Sequence, residues 1–180
     1  MKFLILLLLI FPKLILAQEV FIDSSNKKYL YLGSTQNNEQ SFMDLNTGTI
    51  DWINKAKVER MQQIGILSPA QFWNKVTNNS IGFYASGYEP FWKAKITKNR
   101  LQFFHLKEDN IAIKIDIKNS NLTYDFVAFF YSQNGVIGLI RNLDKRSKCA
   151  LNIDEPDSIY EIFINYKGEI FEGCAYLDKL

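Results

Sequence analysis

The part of the chain after Ser80 is a series of short apolar segments separated by polar turns. From residue 111 to residue 117 every second residue is isoleucine, and the residues between are alanine, lysine and aspartate. This period of two is typical of a strand with one buried and one solvent-exposed face. Asn134-Gly135 is the strongest hairpin signal in the sequence. The pattern predicts consecutive antiparallel strands.

Eight segments of this kind follow one another. They span 81–86, 91–97, 101–106, 111–117, 122–131, 136–140, 159–166 and 169–176. Eight short strands at this spacing predict an antiparallel meander, either a small barrel or a strongly curled sheet. Closure into a barrel would also remove the exposed strand edges.

The amino-terminal third reads differently. Residues 29–32 and 41–45 are expected to form a strand pair, and a looser helical stripe is predicted over 50–64, carried by Ile50, Ile53, Ala56, Met61 and Ile64. Ser68-Pro69-Ala70-Gln71 combines an N-cap serine, a proline at the first helical position and a capping-box glutamine. It predicts a helix through about Val76 that buries Phe72 and Val76.

Together these patterns predict one α+β domain over residues 18–180 that is mainly antiparallel β. Residues 18–79 form its mixed helix and strand part, and residues 80–180 its β part. One or two amino-terminal helices are expected to cover an opening or a face of the sheet.

Residues 1–17 read as a secretory signal peptide. Lys2 precedes an apolar run over residues 3–11. Leu16-Ala17 then places a small residue, Ala17, directly before Gln18, as at a signal-peptide cleavage site. Pro12-Lys13 interrupts the apolar stretch well before the about 20 residues that a retained transmembrane anchor needs. No cysteine follows the run, which argues against a lipoprotein anchor. We therefore predict cleavage after Ala17 and a periplasmic or secreted protein without a transmembrane anchor.

Removal of this leader changes the charge of the chain. The leader holds two of the 21 basic residues and none of the 19 acidic ones, so the remaining chain carries 19 of each. A nucleic-acid-binding protein normally has a basic excess on its surface. The balanced charge therefore excludes nucleic acid as an expected partner.

Cys149 and Cys174 are the two cysteines of the chain. In an exported protein two cysteines most simply form one disulfide. A metal-binding pair and a reactive thiol are the alternatives, although a single histidine in the chain leaves a poor metal-ligand set.

The hexapeptide Gly87-Tyr88-Glu89-Pro90-Phe91-Trp92 places a carboxylate among three aromatic rings at a bend. Gly87 permits backbone angles closed to other residues, while Pro90 fixes its own φ and favours an extended Glu89. A lysine-rich strand and a late Gly-Cys follow it.

These features resemble a family of uncharacterised bacterial envelope proteins that carry a Gly-Asn-Glu-Pro-Phe-Trp motif and sometimes occur beside META-type heat-shock domains. Tyr88 departs from the family's asparagine, and the segment after Cys149 departs as well. The resemblance implies a small β domain in the bacterial envelope and a Cys149–Cys174 bridge. It implies no activity and no cofactor. The matching positions are Gly87, Glu89, Pro90, Phe91, Trp92, Cys149, Tyr160, Gly168, Gly173 and Cys174.

Several side chains are candidates for catalytic or metal-binding roles. Glu89 has two interpretations. It is either a general acid whose pKa is raised by the surrounding aromatic rings, or a carboxylate that stabilises the bend by accepting hydrogen bonds from nearby backbone amides. We favour the second. His105 is the lone histidine, and such a residue on a strand is more often a surface or core residue than a catalytic one. Asp154, Glu155 and Asp157 do not match the spacing of a calcium-binding loop.

The absence of a catalytic set from the sequence leads us to expect a non-enzymatic binding module of the envelope, with no cofactor and no metal. Tyr88, Glu89, Phe91 and Trp92 are the candidate binding residues. The partner is expected to be an envelope protein, a glycan or a small apolar ligand held in a gap of the sheet. The alternatives are a hydrolase that uses Glu89 with an acid such as Asp125, and a structural envelope protein.

Overall fold

A computed structural model of the chain describes residues 18–88, 91–105, 108–118, 126–143, 148–150 and 156–180. Within these ranges the chain forms two helices and fifteen strands. The amino-terminal elements are β1 (Glu19–Ile22), β2 (Lys28–Gln36), β3 (Glu39–Asp44), β4 (Ile50–Asn54), α1 (Lys55–Val58), β5 (Gln62–Ile66) and α2 (Pro69–Asn78). They are followed by β6 (Ile81–Tyr88), β7 (Phe91–Ile96), β8 (Arg100–His105), β9 (Glu108–Lys114), β10 (Asp116–Lys118), β11 (Phe126–Tyr131), β12 (Ile137–Asn142), β13 (Asp157–Ser158), β14 (Tyr160–Tyr166) and β15 (Glu169–Lys179).

The carboxyl-terminal strands form a nearly closed antiparallel barrel. Its neighbours run in the order β10-β11-β12-β14-β15-β6-β7-β8-β9. Only Ile115 separates β9 from β10, so one segment of chain pairs with β8 before this residue and with β11 after it. When β9 and β10 are counted together, the barrel has eight strands. The prediction of about eight antiparallel strands in a meander or small barrel is confirmed, and of the two predicted forms the structure shows the nearly closed barrel.

A second antiparallel sheet is built from the amino-terminal residues in the order β4-β3-β2-β1-β5, and β13 pairs with β2. The predicted pair of strands corresponds to β2 and β3. The predicted helical stripe over 50–64 is wrong: β4 and β5 occupy most of it, and α1 is a single turn between them. The β-branched isoleucines of this stretch favour strands, and tertiary pairing outweighs a loose helical period.

Helix α2 lies across one end of the barrel. Ser68 and Gln71 form the predicted capping box, with the Ser68 amide donating to Oε1 of Gln71 at 2.9 Å. The helix contacts β6 and β11, which stand four strands apart on opposite sides of the barrel. It buries Phe72, Trp73 and Val76 against the barrel core, as the capping motif predicts for Phe72 and Val76.

One hydrophobic cluster runs through both sheets. Leu30, Leu32 and Met43 of the amino-terminal sheet belong to the same cluster as α2 and the inner side chains of the barrel. A smaller cluster around Phe42 fills the other face of the amino-terminal sheet. The backbone amide of Ile159 donates to the carbonyl oxygen of Gly33 at 3.0 Å, next to the pairing of β13 with β2. The two sheets therefore share both a core and a backbone connection.

Candidate functional site

The aromatic hexapeptide lies at the end of the barrel opposite α2. Gly87 and Tyr88 end β6, Phe91 and Trp92 begin β7, and these residues pair as Gly87 with Trp92 and Tyr88 with Phe91. Glu89 and Pro90 lie outside the described residues, so the expected roles of the carboxylate and of the bend stay predictions.

Trp92 points into the barrel. Its side chain is 1% exposed, and its ring centroid lies 5.9 Å from that of Phe103 and 6.2 Å from that of Phe171. The indole packs against the backbone at Gly87 and Gly173, where a β-carbon would overlap it. Among the four candidate binding residues, Trp92 is therefore a core residue.

Tyr88 and Phe91 lie on the outer wall of the barrel, because side chains alternate between the two faces of a strand. The ring of Phe91 lies 6.4 Å from that of Tyr88 and 6.5 Å from that of Phe104 on β8. Tyr88 is 46% exposed, Phe104 42% and Ile170 on β15 68%. We call these four residues, Tyr88, Phe91, Phe104 and Ile170, the aromatic row.

A surface depression of about 440 Å³ adjoins the aromatic row. Tyr88 and Ile170 line one side of it, and the disulfide lines another. Glu161 and Glu172 supply its carboxylates. It is an open hollow on the outer wall and not a cavity inside the barrel.

Lysines lie over the aromatic rings of the same wall. The Lys93 ammonium lies 5.7 Å from the ring centroid of Phe91, and the Lys95 ammonium lies 5.0 Å from that of Tyr84. Tyr84 stacks on Tyr176 with ring centroids 5.8 Å apart. These cation–π contacts hold positive charge beside the row without burying it.

The two cysteines form a disulfide between Cys149 and Cys174, as predicted, with Cα atoms 5.3 Å apart. The Cys149 amide donates to the carbonyl oxygen of Ser158 at 2.7 Å, and the Ser158 amide donates back at 2.9 Å. The metal-pair and reactive-thiol alternatives therefore do not apply. The bridge joins the segment before β13 to β15 and lines the hollow.

The other candidate residues do not converge on one site. His105 is buried in the barrel wall, 4.9 Å from Phe171 between ring centroids, with Nε2 3.5 Å from Oε2 of Glu169. Asp157 forms an ion pair with Lys148 at 2.6 Å. Asp125 of the hydrolase alternative lies outside the described residues, as do Asp154 and Glu155 of the acidic segment.

The described part of the chain contains no group of three or more histidine, cysteine, aspartate or glutamate side chains arranged to hold a metal ion. None of the helices in the same ranges has the length and apolar character needed to cross a bilayer.

No protein-family model, curated protein or solved structure matches this chain. The resemblance of its GYEPFW segment to envelope proteins therefore stays a prediction. Sequence reasoning did not single out Phe104 and Ile170. The alternation rule contains the signal for Phe104, since Phe103 and Phe104 are neighbours on one strand and only one of them faces the core.

Proposed function

We propose that the protein is an exported, non-catalytic binding module of the cell envelope whose binding surface is the aromatic row. The observation that carries the proposal is a group of neighbouring apolar side chains on the outside of the barrel: Tyr88, Phe104 and Ile170 are exposed, and Phe91 is half-buried. Large apolar groups exposed together on a folded domain mark interaction sites more often than single exposed residues do. The row is such a set.

The interior of the barrel supports this choice over a small apolar ligand. Its inward side chains pack into one buried cluster, which includes Trp92, Phe103 and Phe171, and α2 lies over one end. A ligand there would have to displace core side chains. The outer wall offers contact area without that rearrangement.

The chemistry of the row favours a protein partner over a glycan. Protein interfaces are enriched in aromatic side chains and poor in acidic ones at their centre. Phe104 and Ile170 project apolar surface, and in the described part of the chain the Lys93 ammonium and the Glu172 carboxylate lie beside the row. A sugar site would need several hydrogen-bonding side chains among the rings.

Export rests on the leader-like residues 1–17 and on the disulfide, which fits an oxidising compartment. The proposal places the mature chain in the periplasm or outside the cell, after cleavage behind Ala17.

Site-specific photo-crosslinking in intact cells tests the binding surface. A photoreactive phenylalanine analogue replaces Phe104 in one strain and Ile137 in another. Ile137 is the matched control because it is 49% exposed and lies on β12, on the opposite wall of the barrel. We expect a discrete protein adduct from position 104 and none from position 137.

A second change links the adduct to the row. Ile170→Ser, combined with the analogue at position 104, is expected to reduce the adduct at least several-fold without changing the melting temperature. Equal adducts from positions 104 and 137 would reject the surface. Retention on an envelope glycan that depends on Phe104, without a protein adduct, would reject the protein partner.

A further inference from the structure

The outer wall of the barrel carries opposite charges on the two sides of β6. The outward positions of β7, on one side, include Lys93 and Lys95 and no acidic residue. The outward positions of β15, on the other side, include Glu172 and Asp178 and no basic residue. Strand β6 itself has no charged residue. Neighbouring strands lie about 4.8 Å apart, so the two charged sides are separated by about 10 Å.

The pairing of the strands shows how the two sides are arranged around Ser86 of β6. Ser86 pairs with Cys174 on β15 and with Lys93 on β7. Beyond them, Cys174 pairs with Glu161 on β14, and Lys93 pairs with Phe104 on β8. These five residues form one rung across the wall. The exposed Phe104 lies at one end of the rung, and the hollow beside the disulfide lies at the other.

Two charges beside β6 form no ion pair with the described residues. The Lys93 ammonium lies over the ring of Phe91, and the Glu172 carboxylate lines the hollow. Glu161 differs, because it pairs with Arg141. Lys93 and Glu172 are therefore the charges of this wall that are available to opposite charges on another molecule.

We propose that the partner of the aromatic row is a second copy of this protein, an inference that rests on the proposed binding surface. The two copies meet at β6 about a two-fold axis that runs parallel to this strand. Such an axis places the basic side of each copy on the acidic side of the other. It carries Lys93 onto Cys174, whose outward neighbours are Glu161 on the same rung and Glu172 on the same strand.

The shape of the wall fits the same symmetry. Phe104 and the hollow lie on opposite sides of Ser86 at equal numbers of strands, so the axis brings Phe104 of each copy into the hollow of the other. The axis also carries Lys95 onto Tyr176, since Tyr84 pairs with both. Lys95 already forms a cation–π contact with Tyr84, 5.0 Å from its ring centroid. Each contact occurs twice in an isologous dimer.

The size of the wall sets the expected strength of the dimer. Strand spacing and rise give the wall from β14 to β8, over the length from Ile170 to Asp178, a flat area of roughly 500 Å². Stable interfaces bury about 800 Å² on each partner. We therefore expect a reversible dimer with a Kd in the micromolar range that weakens as the salt concentration rises.

Sedimentation velocity of the purified, disulfide-bonded protein from about 1 μM to about 200 μM tests this inference. Lys93→Glu and Glu172→Lys each place like charges opposite one another twice, so each is expected to weaken the dimer by about tenfold or more. Lys57→Glu and Glu59→Lys are the matched controls. They make the same changes of net charge at exposed positions in and next to α1, and we expect them to dimerise like the native protein.

An equimolar mixture of Lys93→Glu with Glu172→Lys is the decisive sample. In a dimer of one chain of each kind, the reversed charges face opposite charges at both contacts. We therefore expect the mixture to associate at close to the native strength, although each variant alone is monomeric. This recovery also requires both variants to be folded. The chain that carries both substitutions is expected to dimerise with itself.

The results that contradict the dimer are distinct. A native protein that stays monomeric over the whole range overturns it, whereas an adduct from position 104 to a different protein would still support the binding surface. A dimer that neither charge reversal weakens uses another surface, which also overturns the inference. Failure of the mixture to associate, when each variant alone is monomeric, rejects the two-fold arrangement. Weakening by Lys93→Glu without weakening by Glu172→Lys rejects the exchange of charges between copies.

Discussion

The indole of Trp92 lies directly on the backbone of Gly87, where a β-carbon would overlap Nε1 of the ring and the carbonyl oxygen of Glu172. Gly87→Ala is therefore expected to overpack the barrel wall and to lower the free energy of unfolding by about 2–3 kcal/mol. Chemical denaturation monitored by tryptophan fluorescence measures the change.

Gly65→Ala is the control for this prediction. Gly65 lies on β5 with no atom within 4 Å of a built β-carbon, and its φ is not positive. We expect a change within about 0.5 kcal/mol, as for an ordinary surface substitution. Equal destabilisation by the two substitutions would contradict the contact between Gly87 and Trp92.

Substitution of Phe72 tests most directly whether helix α2 covers the end of the barrel. Its side chain is 0% exposed, so Phe72→Ala is expected to lower stability by about 3–5 kcal/mol through lost burial and a residual cavity. Asn74→Ala, on the exposed face of the same helix, is expected to change stability by less than about 0.5 kcal/mol. Thermal unfolding of both variants compares them, and a small effect of Phe72→Ala would mean that the helix does not seal the barrel.

The disulfide closes a loop with a sequence separation of 25. Replacement of both cysteines by serine is expected to lower stability by about 3 kcal/mol, since the unfolded chain regains the freedom of that loop. The double variant and the native protein treated with a reductant should show the same melting temperature. If the reduced native protein melted like the oxidised one, the bridge would not stabilise the fold.

Acid stability is expected to depend on Asp44. Burial raises the pKa of its carboxyl group, but the ammonium of Lys27 at 2.8 Å and the amide of Asn46 outweigh burial and lower the pKa to about 2. A pKa lower in the folded than in the unfolded state stabilises the fold above the unfolded value near 3.9. That contribution is lost as the pH falls from about 4 through about 2.

Asp44→Asn is therefore expected to be less stable than the native protein at neutral pH, with the difference shrinking below about pH 4. Asp51→Asn is the control, because its carboxylate lies 3.5 Å from the Lys27 ammonium and on the exposed side of the pair. Urea unfolding at a series of pH values measures both. A difference between native and Asp44→Asn protein that stays constant from pH 7 to pH 2 would contradict the ion pair.

Local patterns of the sequence predicted much of the fold because the structure uses them locally. The capping box at Ser68 starts α2, the alternation over 111–117 lies within β9 and β10, and Asn134-Gly135 occupies the turn between β11 and β12. The change of partner at Ile115 was beyond prediction, because the pairing register of β10 with β11 depends on distant chain. The stripe over 50–64 failed because a one-turn helix between two strands imitates a helical period.

The candidate site was predicted only in part. Their aromatic character identified Trp92, Tyr88 and Phe91 as candidate binding residues. Hydrophobicity alone does not show which of these side chains lie on the solvent-exposed face of a strand. The smaller inward neighbours Ala94 and Ile96 share the face of Trp92, while Lys93 and Lys95 share that of Phe91. The contribution of Ile170 arises from a strand almost 80 residues away in the chain, which no local pattern encodes.

The pairing of β6 with β15 joins the first and last strands of the barrel, with Ile81 opposite Lys179. Contacts between residues so distant in the chain form late in folding and slow it. The barrel therefore cannot close until β15 has been synthesised, since β15 is the strand that joins β14 to β6. Until then the first barrel strand, β6, keeps one edge unpaired, and the barrel stays an open sheet.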